Sequence, residues 1–124
     1  MKKQSILLVT MCFLVIAICL LTSGPVKADP PQDLSLRYDS ATQTLSVTIT
    51  HPSTFTGLHY IKRVEIKKNN QPVGKNDYTS QPGKKTFSYP FNVQAVENDL
   101  LEVTVFCNIQ GQKAATLKVE SQKP

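Results

Sequence analysis

Two histidines, one cysteine and one glutamine carry the chemistry this chain offers. His51 ends a run of alternating apolar and hydroxyl residues and is followed by Pro52. His59 opens the next run, in His59-Tyr60-Ile61. Cys107 ends a later run, in Cys107-Asn108-Ile109-Gln110-Gly111, and keeps the phase of Val103 and Val105. If the loop of residues 52–58 folds back, both imidazoles reach the end of the fold where Cys107 finishes its strand. Two imidazoles and a thiolate at adjacent strand ends make a transition-metal site. Gln110 then has two readings, a solvent-facing turn residue or a weak oxygen ligand. Each residue alone has a plainer role, Cys107 as a small buried hydrophobe and the histidines as backbone-bonded loop residues.

The elements that must position these side chains are strands. Leu34, Leu36 and Tyr38 alternate with polar residues, as do Leu45, Val47 and Ile49, then Val64 and Ile66. Phe87, Tyr89, Phe91 and Val93 form an aromatic run, followed by Leu101, Val103, Val105 and Cys107, and finally Ala115, Leu117 and Val119. A period of two marks half-buried strands, and no segment of residues 29–124 sustains a helical period. Turn signals separate the runs: Asp39-Ser40, Pro52-Ser53, Thr56-Gly57, Asn69-Asn70, Pro82-Gly83, Asn98-Asp99 and Gly111. Asn69-Asn70 between strands predicts a tight hairpin. Six to seven antiparallel strands at this spacing predict an all-β, immunoglobulin-like β-sandwich, in which Tyr60 and Tyr89 pack in the core or at its rim.

The first segment reads as an export signal. Lys2 and Lys3 precede an uncharged apolar stretch from Ile6 to Leu21, and Val26-Lys27-Ala28 supplies a small-residue cleavage site. Residues 1–28 are the leader, and residues 29–124 form one domain that is periplasmic or extracellular. An uncleaved membrane anchor is the alternative, since the run is only a little shorter than a bilayer span. Lipid attachment at Cys19 is disfavoured by the bulky Ile18 before it. With the leader go Lys2, Lys3 and Lys27, while all nine acidic residues stay, so net charge falls from +5 to +2. The basic character of the whole chain is thus mostly a targeting feature, and nucleic acid is not an expected partner. Cys12 and Cys19 also lie in the leader, which leaves Cys107 with no partner for an internal disulfide. In an oxidising compartment it needs burial, a metal or another chain. No hydrolase triad, phosphate loop or paired-carboxylate motif stands out.

Taken together, His51-Pro52, His59-Tyr60-Ile61 and the later Cys107-Asn108 followed by Gly111 resemble, in order and separation, the two signatures of the desulfoferrodoxin (superoxide reductase) iron domain. The resemblance runs from about Ser46 onward. It implies a non-haem iron with Cys107 as axial thiolate and His51 and His59 as two of four equatorial histidines. It also implies reduction of superoxide to hydrogen peroxide and a small redox protein as electron donor. The chain departs from the family at two ligands. Gln110 stands where the second signature has histidine, and residues 29–50 contain no histidine to match the family's first ligand or its Glu-Lys pair. Three of five family ligands remain. Zinc fits two histidines, a cysteine and water. Copper fits less well, because no histidine follows Cys107. A non-catalytic sandwich that binds a partner or a structural metal is the competing reading.

Overall fold

The computed structural model describes residues 2–22 and 29–121, with side chains for residues 2–18 and 29–121. The expected cleavage site, Val26-Lys27-Ala28, and the Cys19 side chain lie outside these. Helix α1 spans Lys2–Thr22. Among the described residues no helix is long and apolar enough to cross a membrane.

Seven strands follow: β1 (Asp33–Asp39), β2 (Thr44–Thr50), β3 (Ile61–Lys68), β4 (Gln71–Asp77), β5 (Thr86–Asn92), β6 (Leu100–Cys107) and β7 (Gln112–Lys118). They form two antiparallel sheets, β1-β2-β5 and β4-β3-β6-β7. The chain therefore crosses between sheets after β2, after β4 and after β5. This is the sandwich that the alternating runs predict. Strict alternation in β2 and β6 puts Leu45, Val47, Ile49, Leu101, Val103 and Val105 at 0% exposure between the layers, where Ile61, Val64 and Ile66 of β3 line the same sheet face as the β6 residues. Among the described residues the core draws on residues 34–119 and on none from α1.

Strand β4 has no run of its own in the sequence, because six of its seven residues are exposed at the sheet edge. Its Pro72 and Lys75 suit an edge that must not pair further. The turn before it makes it a strand. Asn69 and Asn70 both have positive φ, 51° and 67°, and Lys68 pairs with Gln71, as a two-residue primed hairpin requires. The aromatic run of β5 packs as expected, with the Tyr89 ring stacked on Tyr78 at 4.3 Å and in edge contact with Phe87 and Phe91. Burial pushes the Tyr89 hydroxyl up to about 12.

Two local features aim the chain at the site. A register shift between Ile61 and Arg63 brings Ile61 opposite Cys107, a bulge of the kind that re-aims side chains beside functional sites. Gly111, with φ +83°, closes the β6–β7 turn where a Cβ would stand 2.6 Å from Pro30 Cβ. Only glycine allows that approach.

Candidate metal centre

The ligands of the candidate site come from the β2–β3 connection and from the last residue of β6, at one end of the sandwich. His51 directly follows β2, its N–H donating to the Lys85 carbonyl at 2.7 Å, and the ring is fully buried. His59 lies two residues before β3 rather than inside it. Its loop is folded by the Leu58 and His59 N–H groups, both donating to the Phe55 carbonyl at 2.9 Å. The Ser53 hydroxyl donates to the His59 carbonyl at 2.5 Å and ties the two ends of the loop together. The imidazoles meet edge to face with ring centroids 4.4 Å apart.

Cys107 ends β6 with its side chain turned inward and 5% exposed. Its N–H donates to the Gly111 carbonyl at 3.0 Å, which closes the turn. The Ile109 N–H donates toward Sγ from 3.5 Å and so helps to fix the sulfur's position in the turn. Asn108 locks this turn to the histidine loop. Its Oδ1 accepts from Tyr60 N–H at 2.9 Å, its Nδ2 donates to the Leu58 carbonyl at 3.0 Å, and its own N–H donates to the Tyr60 carbonyl at 3.0 Å. The asparagine of Cys107-Asn108 therefore has a structural reason to follow the cysteine.

The structure brings together three of the four residues singled out in the sequence. One ligand atom each from His51, His59 and Cys107 lies within 4.8 Å of the others. Gln110 is exposed in the turn. Two nitrogens and a sulfur with no carboxylate suit iron, zinc or copper and not calcium or magnesium.

Sequence reasoning missed Gln81, which lies 30 residues from His51 in a segment without regular structure and is 4% exposed. Its Nε2 donates to the carbonyls of His51 at 2.9 Å and Gly83 at 2.8 Å. Its Oε1 accepts from Ile61 N–H at 3.2 Å and lies 2.7 Å from His51 Nδ1. A backbone N–H can only donate, so Oε1 is an acceptor and His51 Nδ1 must carry the proton. Burial lowers the His51 pKa, and the nearby His59 adds to this, against the raising effect of the Gln81 bond. A neutral ring with its proton on Nδ1 presents a bare lone pair at Nε2. Metal-binding histidines are oriented by just such a bond at the far nitrogen. The local signal was weak: a lone glutamine before Pro82-Gly83 in a polar stretch.

No protein-family model matches the chain, and no curated protein sequence matches it. Among solved structures, superoxide reductase (neelaredoxin) from Ignicoccus hospitalis is similar at 14% identity, covering 73% of this chain and 82% of that one, with a TM-score of 0.46. A variant of that protein is similar at 12% identity over 78% and 86%, with a TM-score of 0.48. A superoxide reductase in the oxidised state is similar at 16% identity over 77% and 94%, with a TM-score of 0.45. At these identities and scores the likenesses bear on neither ligand nor activity. Within the chain itself, an all-β sandwich gathers two imidazoles and one cysteine at one end of its core.

Proposed function

We propose that residues 29–124 are an exported metal-binding domain that holds non-haem iron through His51, His59 and Cys107 and works as a redox protein of the superoxide reductase type. The supporting observation is the convergence of the three ligand atoms within 4.8 Å at the end of a packed core. The ordered signatures that carry His51, His59 and Cys107 point the same way. Iron held by His51, His59 and Cys107 would supply the one electron that, with two protons, converts superoxide to hydrogen peroxide, and a small redox protein would return the electron.

The chain's own residues prepare that site. Gln81 fixes the His51 ring and, in the neutral ring, leaves Nε2 unprotonated beside the Asp29 carbonyl. Asn108 holds the cysteine turn against the histidine loop, and the Ile109 N–H contacts Cys107 Sγ. Burial of His51 and Cys107 limits water on the core side. The second reading, a non-catalytic sandwich with structural zinc or copper, gains support from the donor count, since three side chains and a water complete a zinc tetrahedron.

The test is metal content and absorption after anaerobic purification. Iron with a thiolate-to-iron band on oxidation, and at least a tenfold loss of bound iron in Cys107→Ser, is the expected result. Stoichiometric zinc without a redox-dependent band establishes the second reading. Unchanged metal content and stability in Cys107→Ser refutes the ligand assignment. Protein recovered outside the cytoplasm with Asp29 as its first residue tests the export reading.

A further inference from the structure

The donor set stops at three side chains, but a fourth group already stands between the two imidazoles. The Asp29 carbonyl oxygen lies 3.0 Å from His51 Nε2 and 3.1 Å from His59 Nε2. His59 Nε2 can donate a proton to it. His51 Nε2 cannot while the ring is neutral, because the Gln81 geometry then places its one proton on Nδ1. With that ring neutral, two acceptors face each other at 3.0 Å, and either a proton on Nε2 or a metal ion between them relieves the repulsion.

Asp29 is held there by the residues that follow it. Pro30 is packed against Gly111, Pro31 is buried, and the Gln32 N–H donates to the Thr50 carbonyl at 2.8 Å. Two consecutive prolines restrict the backbone, so the carbonyl is placed before any ligand arrives. The leader reading puts the cut directly before Asp29. Cleavage would then turn the Asp29 nitrogen from an amide, which is a poor ligand, into a free amine. The nitrogen and carbonyl oxygen of one residue close a five-membered chelate ring around a metal.

We propose that the main chain of Asp29 is the fourth arm of the metal centre, binding through its carbonyl oxygen and, in the processed chain, its terminal amino group. The site would thus be completed by removal of the leader, so that the unprocessed chain holds metal weakly and the exported domain holds it tightly. This rests on the metal-binding reading above.

The experiment compares a chain that begins at Asp29 with one that carries a Gly-Ser extension before Asp29, both titrated with Co2+ and with Zn2+. Thermal unfolding of the metal-free proteins checks that both fold. His51→Ala in the Asp29-first chain is the control for the side-chain site. The expected result is at least tenfold tighter binding by the Asp29-first chain, a different Co2+ absorption spectrum in the extended one, and loss of tight binding in His51→Ala. Equal affinities and identical Co2+ spectra in the two chains, with His51→Ala still defective, overturn the role of Asp29 and leave the side-chain site standing. Affinity unaffected by His51→Ala, or no binding by either chain, overturns the metal-binding reading and this proposal with it.

Discussion

The two ends of the sandwich are closed in different ways. At the end holding the β1–β2 turn, the β3–β4 turn and the β5–β6 connection, closure rests on left-handed turn residues and on bonds between one turn and the next. All four non-glycine residues with positive φ among the described residues lie there: Gln43, Asn69, Asn70 and Asn98. Short polar bonds finish the work. Asp39 accepts from Ala41 N–H at 2.9 Å, Asp99 accepts from Val96 N–H at 2.9 Å, and Asn69 joins Asp99 and Leu100 at 2.9 Å each. The Tyr38 hydroxyl donates to the Val93 carbonyl at 2.7 Å and accepts from Ala95 N–H at 3.1 Å. At the other end closure is long-range. Residues 29–32, 51–60, 81–85 and 108–111 bind one another through Gln81, Asn108 and the two histidines. The first end brings together turn residues and polar bonds but no cluster of histidine and cysteine among the described residues. An end assembled from four distant segments holds several side chains in one fixed arrangement, which is what a metal centre needs.

Substitutions can break this contrast. Gln81→Leu is expected to have the largest effect. It strands the Ile61 N–H, the His51 carbonyl and the His51 Nδ1 proton in the interior, a cost of about 2–4 kcal/mol in urea denaturation. It also releases the His51 ring, which should weaken metal binding by about 10–100-fold in the Co2+ titration. Gly111→Ala comes next. A Cβ at φ +83° that meets Pro30 should cost about 1–3 kcal/mol, and displacement of Pro30 should weaken metal binding by carrying Asp29 away. If stability falls while affinity holds, the N-terminal segment is not coupled to the site.

At the opposite end the expected changes are smaller and confined to stability. Asn69→Ala removes two side-chain bonds and a residue suited to positive φ, for a loss of about 1 kcal/mol with metal affinity unchanged. A change in affinity would show that the ends communicate. The smallest effect concerns pH. Bonds from the Val96 N–H, then from Asn69, hold the Asp99 pKa below its ordinary 3.8. Because the folded value is depressed, its contribution is complete above the unfolded pKa and is lost as pH falls through the lowered folded value. Acid unfolding of Asp99→Asn should therefore depend less steeply on pH below about 4 than that of the parent.

Much of the fold could be read from the chain because it depends on neighbours in sequence. The phase of Leu45, Val47 and Ile49 and of Val103, Val105 and Cys107 survives folding, since alternation is a property of the strand itself. The Asn69-Asn70 hairpin follows from the same locality, and it supplies β4 even though that edge strand buries too little to show a pattern. His51, His59 and Cys107 stood out because their side-chain types are scarce and chemically distinct. His59 was placed in a strand although it sits in the loop before it, since Ser53 and Phe55 hold that loop through contacts that alternation does not encode.

What the sequence determined by itself was the alternating sandwich, the leader pattern and three chemically marked residues. The rest was settled only by packing. Gln81 acts because its amide meets a ring 30 residues away. Asp29 acts through a carbonyl oxygen that every residue possesses. Neither role depends on a distinctive residue type or a repeat, so neither is visible until the chain has closed and the four segments meet.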